Sequence, residues 1–130
     1  MININILSDA KFPFDRAGLR AHLTKVLAKY RLMDKVEVDV QVVGKRKITE
    51  LHKVYMQLPG PTDVLSFPLN DPGDERPFIA SPDGVLRLGD IVVCYGVAVE
   101  EALEKQCKVD DQINFLAEHG LMHLLGYHHE

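Results

Sequence analysis

Four of the six histidines fall within the last twelve residues, His119-Gly120-Leu121-Met122-His123-Leu124-Leu125-Gly126-Tyr127-His128-His129-Glu130. Neutral imidazole is a ligand for zinc and similar divalent ions. Residues i and i+4 share one face of a helix, so His119 and His123 can aim at a single point. Gly126 follows three residues after His123, where a glycine can take the left-handed conformation that ends a helix and turns the chain back. That turn can return His129 to the same point. Three neutral imidazoles leave a fourth position of one zinc ion open for water, whose pKa the ion lowers to about 7. The pattern suits a hydrolytic centre better than a closed structural site. A lone buried histidine is ordinarily a satisfied core residue, and a terminal run is often a purification tag. Tags are unbroken, however, and here Leu, Met, Gly and Tyr separate the histidines.

The three histidines and the glycine have the spacing of the metzincin pattern H-E-x-x-H-x-x-G-x-x-H, with Gly120 in the position of the glutamate. Peptidases of that class need the carboxylate to take a proton from metal-bound water, so proteolysis is the less favoured chemistry.

These residues must be positioned by the rest of the chain. Ile2, Ile4 and Ile6 alternate with Asn3 and Asn5 and predict a strand. Asp15 is a candidate N-cap for a helix carrying Leu19, Leu23, Val26, Leu27 and Tyr30. Val36, Val38, Val40 and Val42 predict a second strand ending at Gly44, and Ile48, Leu51, Val54 and Tyr55 a second helix. The prolines and glycine of Leu58 to Pro61 must break that helix. Val64, Leu65 and Phe67 form a third strand closed by Pro68, and Asn70 to Gly84 has loop composition. Val85 to Tyr95 resumes strand character, with a bend or bulge expected at Gly89. Val97 to Lys105 and Val109 to Leu125 are helical by pattern, with Asp110 or Asp111 in the first turn of the last helix. The order predicts an α+β fold in one domain over residues 1–130, a mixed sheet of about four strands with helices packed on it. The metal site would lie on the C-terminal helix and the turn after it, as in zincins.

The chain of 130 residues is 46% hydrophobic and 26% charged, an ordinary globular composition. Cys94 and Cys107 form no C-x-x-C pair, which argues against a disulfide framework or a thiolate site and for a reducing cytoplasm. Cys94, on an apolar strand, reads as a buried small residue. Met1 to Leu7 lacks the features of a signal peptide or membrane span, and no membrane association is expected. A net charge of -4 excludes the broad electrostatic attraction of general nucleic-acid binders, so no DNA partner is expected and any RNA must be held locally. The one dense basic run, Lys45, Arg46 and Lys47 with Lys53 beyond it, reads first as a solvated helix start.

Three segments, Pro61-Thr62-Asp63-Val64-Leu65-Ser66-Phe67-Pro68, Leu88-Gly89-Asp90-Ile91-Val92-Val93-Cys94 and the C-terminal histidine motif, carry a further signal. Together they resemble the YbeY family of metal-dependent, single-strand-specific endoribonucleases. The resemblance implies an α+β fold with one zinc ion in a cleft, held by His119, His123 and His129. It also implies phosphodiester cleavage in ribosomal RNA maturation and ribosome quality control. The partners would be single-stranded ribosomal RNA and the ribosome or its assembly factors. Two positions depart from the family. Met56 follows Tyr55 where the family has arginine, so this chain either lacks that phosphate contact or recruits Lys53, Arg46 or Arg87 for it. His128 stands where the family has aspartate, and three roles are open to it: a base, a ligand in place of His129, or an exposed residue.

The catalytic candidates are therefore His119, His123 and His128. Ser66 is a candidate phosphate contact, and Asp63 and Asp90 are candidates to orient the groups around the metal. Each aspartate also has a plainer reading as a residue bonding nearby backbone amides. The rival functions are a metalloprotease-like hydrolase and a non-catalytic ribosome-associated factor with a structural metal.

Overall fold

The computed structural model describes residues 1–30, 35–69 and 82–126. Four strands, β1 (Ile2–Ser8), β2 (Val36–Val43), β3 (Val64–Pro68) and β4 (Leu86–Cys94), form one sheet in the order β1-β2-β4-β3. β1, β2 and β4 run parallel, and the edge strand β3 runs antiparallel to β4. Among the described residues four helices, α1 (Arg16–Ala28), α2 (Lys45–Met56), α3 (Tyr95–Lys105) and α4 (Val109–Leu124), pack on the sheet in a mixed α+β architecture. The valine alternation of β2 is decisive for the packing. Val36, Val38, Val40 and Val42 all point to one face and are at most 2% exposed.

On that face lie α1, through Leu19, Leu23, Val26 and Leu27, and α4, through Ile113, Leu116, Ala117, Leu121 and Leu124. The opposite face carries α2, whose one buried residue, Ile48, packs on Leu65, Val92 and Cys94. The histidine-bearing helix and the basic helix are thus on opposite sides of the sheet. Burial of apolar area on both faces, at roughly 25 cal/mol per Å², supplies the main driving force for this layering.

Local signals act as the sequence predicts. The Asp15 carboxylate accepts from the Gly18 amide at 2.9 Å and caps α1. Asp110, in the first turn of α4, accepts from the Asp15 amide at 2.9 Å, tying the starts of the two helices together. The fourth strand bulges where expected. Register with β2 shifts so that Glu37 faces Arg87 while Val38 faces Gly89, leaving Leu88 as the extra residue. Gly89 has φ 136°, and a Cβ there would lie 2.3 Å from the Phe67 carbonyl oxygen, so only glycine fits.

The second helix ends where expected, but on a residue type that the sequence did not mark. α2 stops before its prolines, at Gln57, which adopts a left-handed φ of 57° and donates its amide to the Lys53 carbonyl. Gln106 ends α3 in the same conformation. A rule that looks for glycine at helix C-caps does not find these two residues. Of the expected loop from Asn70 to Gly84, only the last three residues are described, and Gly84 there has φ 79°.

Candidate metal and RNA site

His119 and His123 stand on consecutive turns of α4, with ring centroids 4.7 Å apart and planes tilted by 44°. The i,i+4 spacing therefore does bring the two imidazoles together. The Nε2 atom of His123 is shielded from solvent. Two imidazoles with their centroids this close, one carrying a nitrogen withdrawn from water, suit a borderline-soft divalent ion. The helix ends as the sequence implies. The amide of Leu125 donates to the Leu121 carbonyl, and Gly126, at φ 94°, donates to the His123 carbonyl at 3.0 Å. His128 and His129 lie outside the described residues. Among the described residues no group of three or more His, Cys, Asp or Glu is arranged to hold a metal ion.

Gly120, between the two histidines, faces the sheet. A Cβ there would lie 2.8 Å from Cγ2 of Ile91 and 3.3 Å from Cγ2 of Val64. The position that carries a catalytic glutamate in metzincins is here a packing contact that brings α4 close to β3 and β4. A side chain at residue 120 would point into the core, away from any ion between the histidines.

The other candidates divide between the two faces. Ser66 follows Val64 on the same face of β3 and pairs with Ile91, so it looks toward the stretch of α4 that holds the histidines. Asp90 is on the other face, lining a groove with Lys47, Leu51, Tyr55 and Phe67. Burial holds its carboxyl above the ordinary carboxylate range, and the neighbouring Asp39, its register partner on β2, acts in the same direction. Arg87 donates to both carboxylate oxygens of Asp83, and that contact raises its pKa and lowers that of Asp83. Arg46 and Lys53 are exposed on the first and last turns of α2. The three cations are thus carried by α2 and by the sheet face opposite α4.

Asp63 takes its plainer role. Its Oδ1 accepts from the Val64 amide at 2.8 Å, and its carbonyl accepts from the Cys94 amide at 2.8 Å. It also belongs to a cluster that sequence reasoning missed. Glu101 of α3 accepts from the side-chain amide of Gln112, 2.9 Å away, and Gln112 is only 2% exposed. Burial pushes the Glu101 carboxyl up; the Gln112 hydrogen bond opposes this, and Asp63 pushes further in the same direction as burial. The α3 pattern hides this residue, because Glu101 reads as one more charge on a helix. A second residue not singled out from the sequence is Phe115, one turn ahead of His119 and 56% exposed.

Cys94 is fully buried, and burial raises its thiol pKa, which fits its reading as a small core residue. Lys45 is paired with Glu100, and the hydrogen bond to that carboxylate raises its pKa, so one of the three charges of the basic run is already engaged. Among the described residues no helix is long and apolar enough to cross a membrane.

The chain is similar to known proteins over nearly its whole length. The family profile described as Endoribonuclease YbeY matches residues 6–130. Endoribonuclease YbeY of Micrococcus luteus is 37% identical over 128 residues, spanning 97% of this chain and 78% of that protein. The Endoribonuclease YbeY of Thermobifida fusca is 34% identical over 128 residues, spanning 98% of this chain and 81% of its own length. A Thermotoga maritima protein solved in solution superposes with a TM-score of 0.61 at 28% identity, covering 98% of this chain and 75% of that one.

Proposed function

The chain belongs to the YbeY family of endoribonucleases, hydrolases of RNA phosphodiester bonds, and from that premise we propose that it cleaves single-stranded ribosomal RNA during rRNA maturation and ribosome quality control. We assign it one zinc ion, held by His119, His123 and His129. The observation that carries this reading is the convergence of His119 and His123, 4.7 Å between ring centroids, just ahead of the left-handed turn at Gly126.

When bound, the ion supplies Lewis-acid polarisation of a phosphoryl oxygen and a hydroxide at neutral pH. The protein's own residues have separate tasks. His119 and His123 bind through neutral nitrogens held by the rigid helix. Ser66, on the histidine side of β3, offers a hydroxyl to the phosphate. With Gly120 turned into the core, no carboxylate from that position moves the proton, and His128 is the candidate base. Met56 brings no charge to the phosphate, so turnover is slow. The ribosome or its assembly factors are the proposed partners, and the cytoplasm the proposed compartment.

The test is elemental analysis of the purified chain beside a cleavage assay on single-stranded and duplex RNA. We expect about one zinc per chain, cleavage of the single strand alone, and loss of activity with a chelator that added zinc restores. Metal well below one equivalent, or cleavage indifferent to the chelator, would overturn the reading. Binding to ribosomes without any cleavage would favour a non-catalytic factor.

A further inference from the structure

On α4 the spacing that joins His119 to His123 continues one turn backward to Phe115, 56% exposed. Phe115, Glu118, His119 and Met122 line one hollow of about 420 Å³, inside the range of roughly 300–1,000 Å³ typical of ligand pockets. The ammonium of Lys105 stands 4.1 Å from the Phe115 ring centroid. Glu118 is engaged elsewhere, its carboxylate 2.7 Å from His22 Nε2 on α1. An exposed aromatic ring, the cation set over it and an imidazole of the proposed hydrolytic centre therefore lie side by side.

We propose that Phe115 is a stacking platform for a nucleobase next to the bond that is cleaved, with Lys105 contacting the adjoining phosphate. The inference rests on the nuclease reading and names how its substrate is held. Residues i and i+4 on a helix are separated by roughly 5–6 Å, a distance comparable with the step between neighbouring nucleotides of an extended strand. A base on Phe115 therefore brings the next phosphate toward His119. Every base has a π-face, so the platform tolerates any sequence. A base inside a duplex has both faces covered by its neighbours and cannot reach the ring. The platform thus supplies a physical reason for cutting single strands, and it requires no broad basic surface, in keeping with a net charge of -4.

The chain contains no tryptophan, so Phe115→Trp puts a single fluorophore on the platform. Leu7→Trp, at an exposed site on β1, serves as the remote control. Titration with a single-stranded oligoadenylate is expected to quench Phe115→Trp saturably and to leave Leu7→Trp unchanged. Phe115→Ala is expected to weaken binding about tenfold while Phe115→Tyr binds as the wild type does, and Lys105→Ala to lower the slope of log K against log salt by about 0.7. The exposure of Phe115 leaves the fold of these variants intact, which a thermal melt checks. Unchanged affinity in Phe115→Ala and no quenching in Phe115→Trp, with the wild type still cleaving the same RNA, would overturn the platform and leave the nuclease standing. A wild-type chain that neither binds nor cleaves single strands would overturn both.

Discussion

Gly120 and Ile91 are in contact so close that a single added carbon has no room: a Cβ on Gly120 would lie 2.8 Å from Cγ2 of Ile91. Because Ile91 pairs with Ser66 across β3 and β4, this contact also sets how the histidine helix sits over the proposed phosphate contact. The glycine therefore lets α4 lie close against β3 and β4 and is not simply a lost glutamate.

Gly120→Ala gains up to about 1 kcal/mol of helix propensity but incurs overpacking of about 1–3 kcal/mol, so a net destabilisation of about 1 kcal/mol is expected. Gly120→Glu drives a carboxylate into the apolar contact with Val64 and Ile91 and is expected to cost more than about 3 kcal/mol. Urea denaturation measures both. A Glu variant as stable as the wild type, or one with peptidase activity, would refute this account of residue 120.

His123→Ala removes the donor whose Nε2 is shielded from solvent. A metal that binds only the folded state stabilises it by mass action, by about 2.7 kcal/mol at a hundredfold excess over Kd. The wild type is expected to lose several degrees of Tm on adding a chelator, and the variant to melt at one temperature with or without it. Equal chelator shifts in the two proteins would remove His123 from the ligand set.

Asp39 and Asp90 face each other across β2 and β4, and the Asn5 side-chain amide donates to Asp39 at 2.8 Å. Asp90 has its pKa raised by burial first and by Asp39 second. A raised pKa means that the protonated form favours the folded state. Its contribution is present below the unfolded value of about 3.9 and is lost as pH rises through the folded value. At neutral pH the ionised pair is unfavourable, so Asp90→Asn is expected to stabilise by about 0.2–1 kcal/mol at pH 7. The gain should shrink toward zero below about pH 4. Melting curves across this range check the sign, and a gain that grows on acidification would contradict it.

Gln57 and Gln106 end α2 and α3 with φ of 57° each. Left-handed backbone costs an ordinary L-residue about 1–2 kcal/mol. Gln106→Gly is expected to raise stability by about 0.5–1 kcal/mol after allowing for the entropy of glycine in the unfolded chain. A loss of stability in chemical denaturation would count against it.

Much of this arrangement is legible in the chain because its signals are local. The alternation in β2, the Asp15 cap, the bulge at Gly89 and the His119/His123 pair each depend on residues a few positions apart. A strand period or a helical turn is therefore enough to read them. The partners of Phe115, Glu101 and Asp63 are of another kind. Lys105 meets Phe115, and Asp63 meets Glu101, only after α3, α4 and β3 have packed together.

The sequence alone therefore determined the types and order of the elements, the paired imidazoles and the turn at Gly126. Tertiary structure alone decided the faces. Ser66 stands on the histidine side of the sheet, while Asp90 and the cations Arg46, Lys53 and Arg87 belong to the side of α2. It also turned Gly120 into the core and left Phe115 open. The physical reason is that periodicity is a property of one segment. The face on which a helix settles depends on which apolar stripes of distant segments bury one another, and no single stretch of sequence contains that choice.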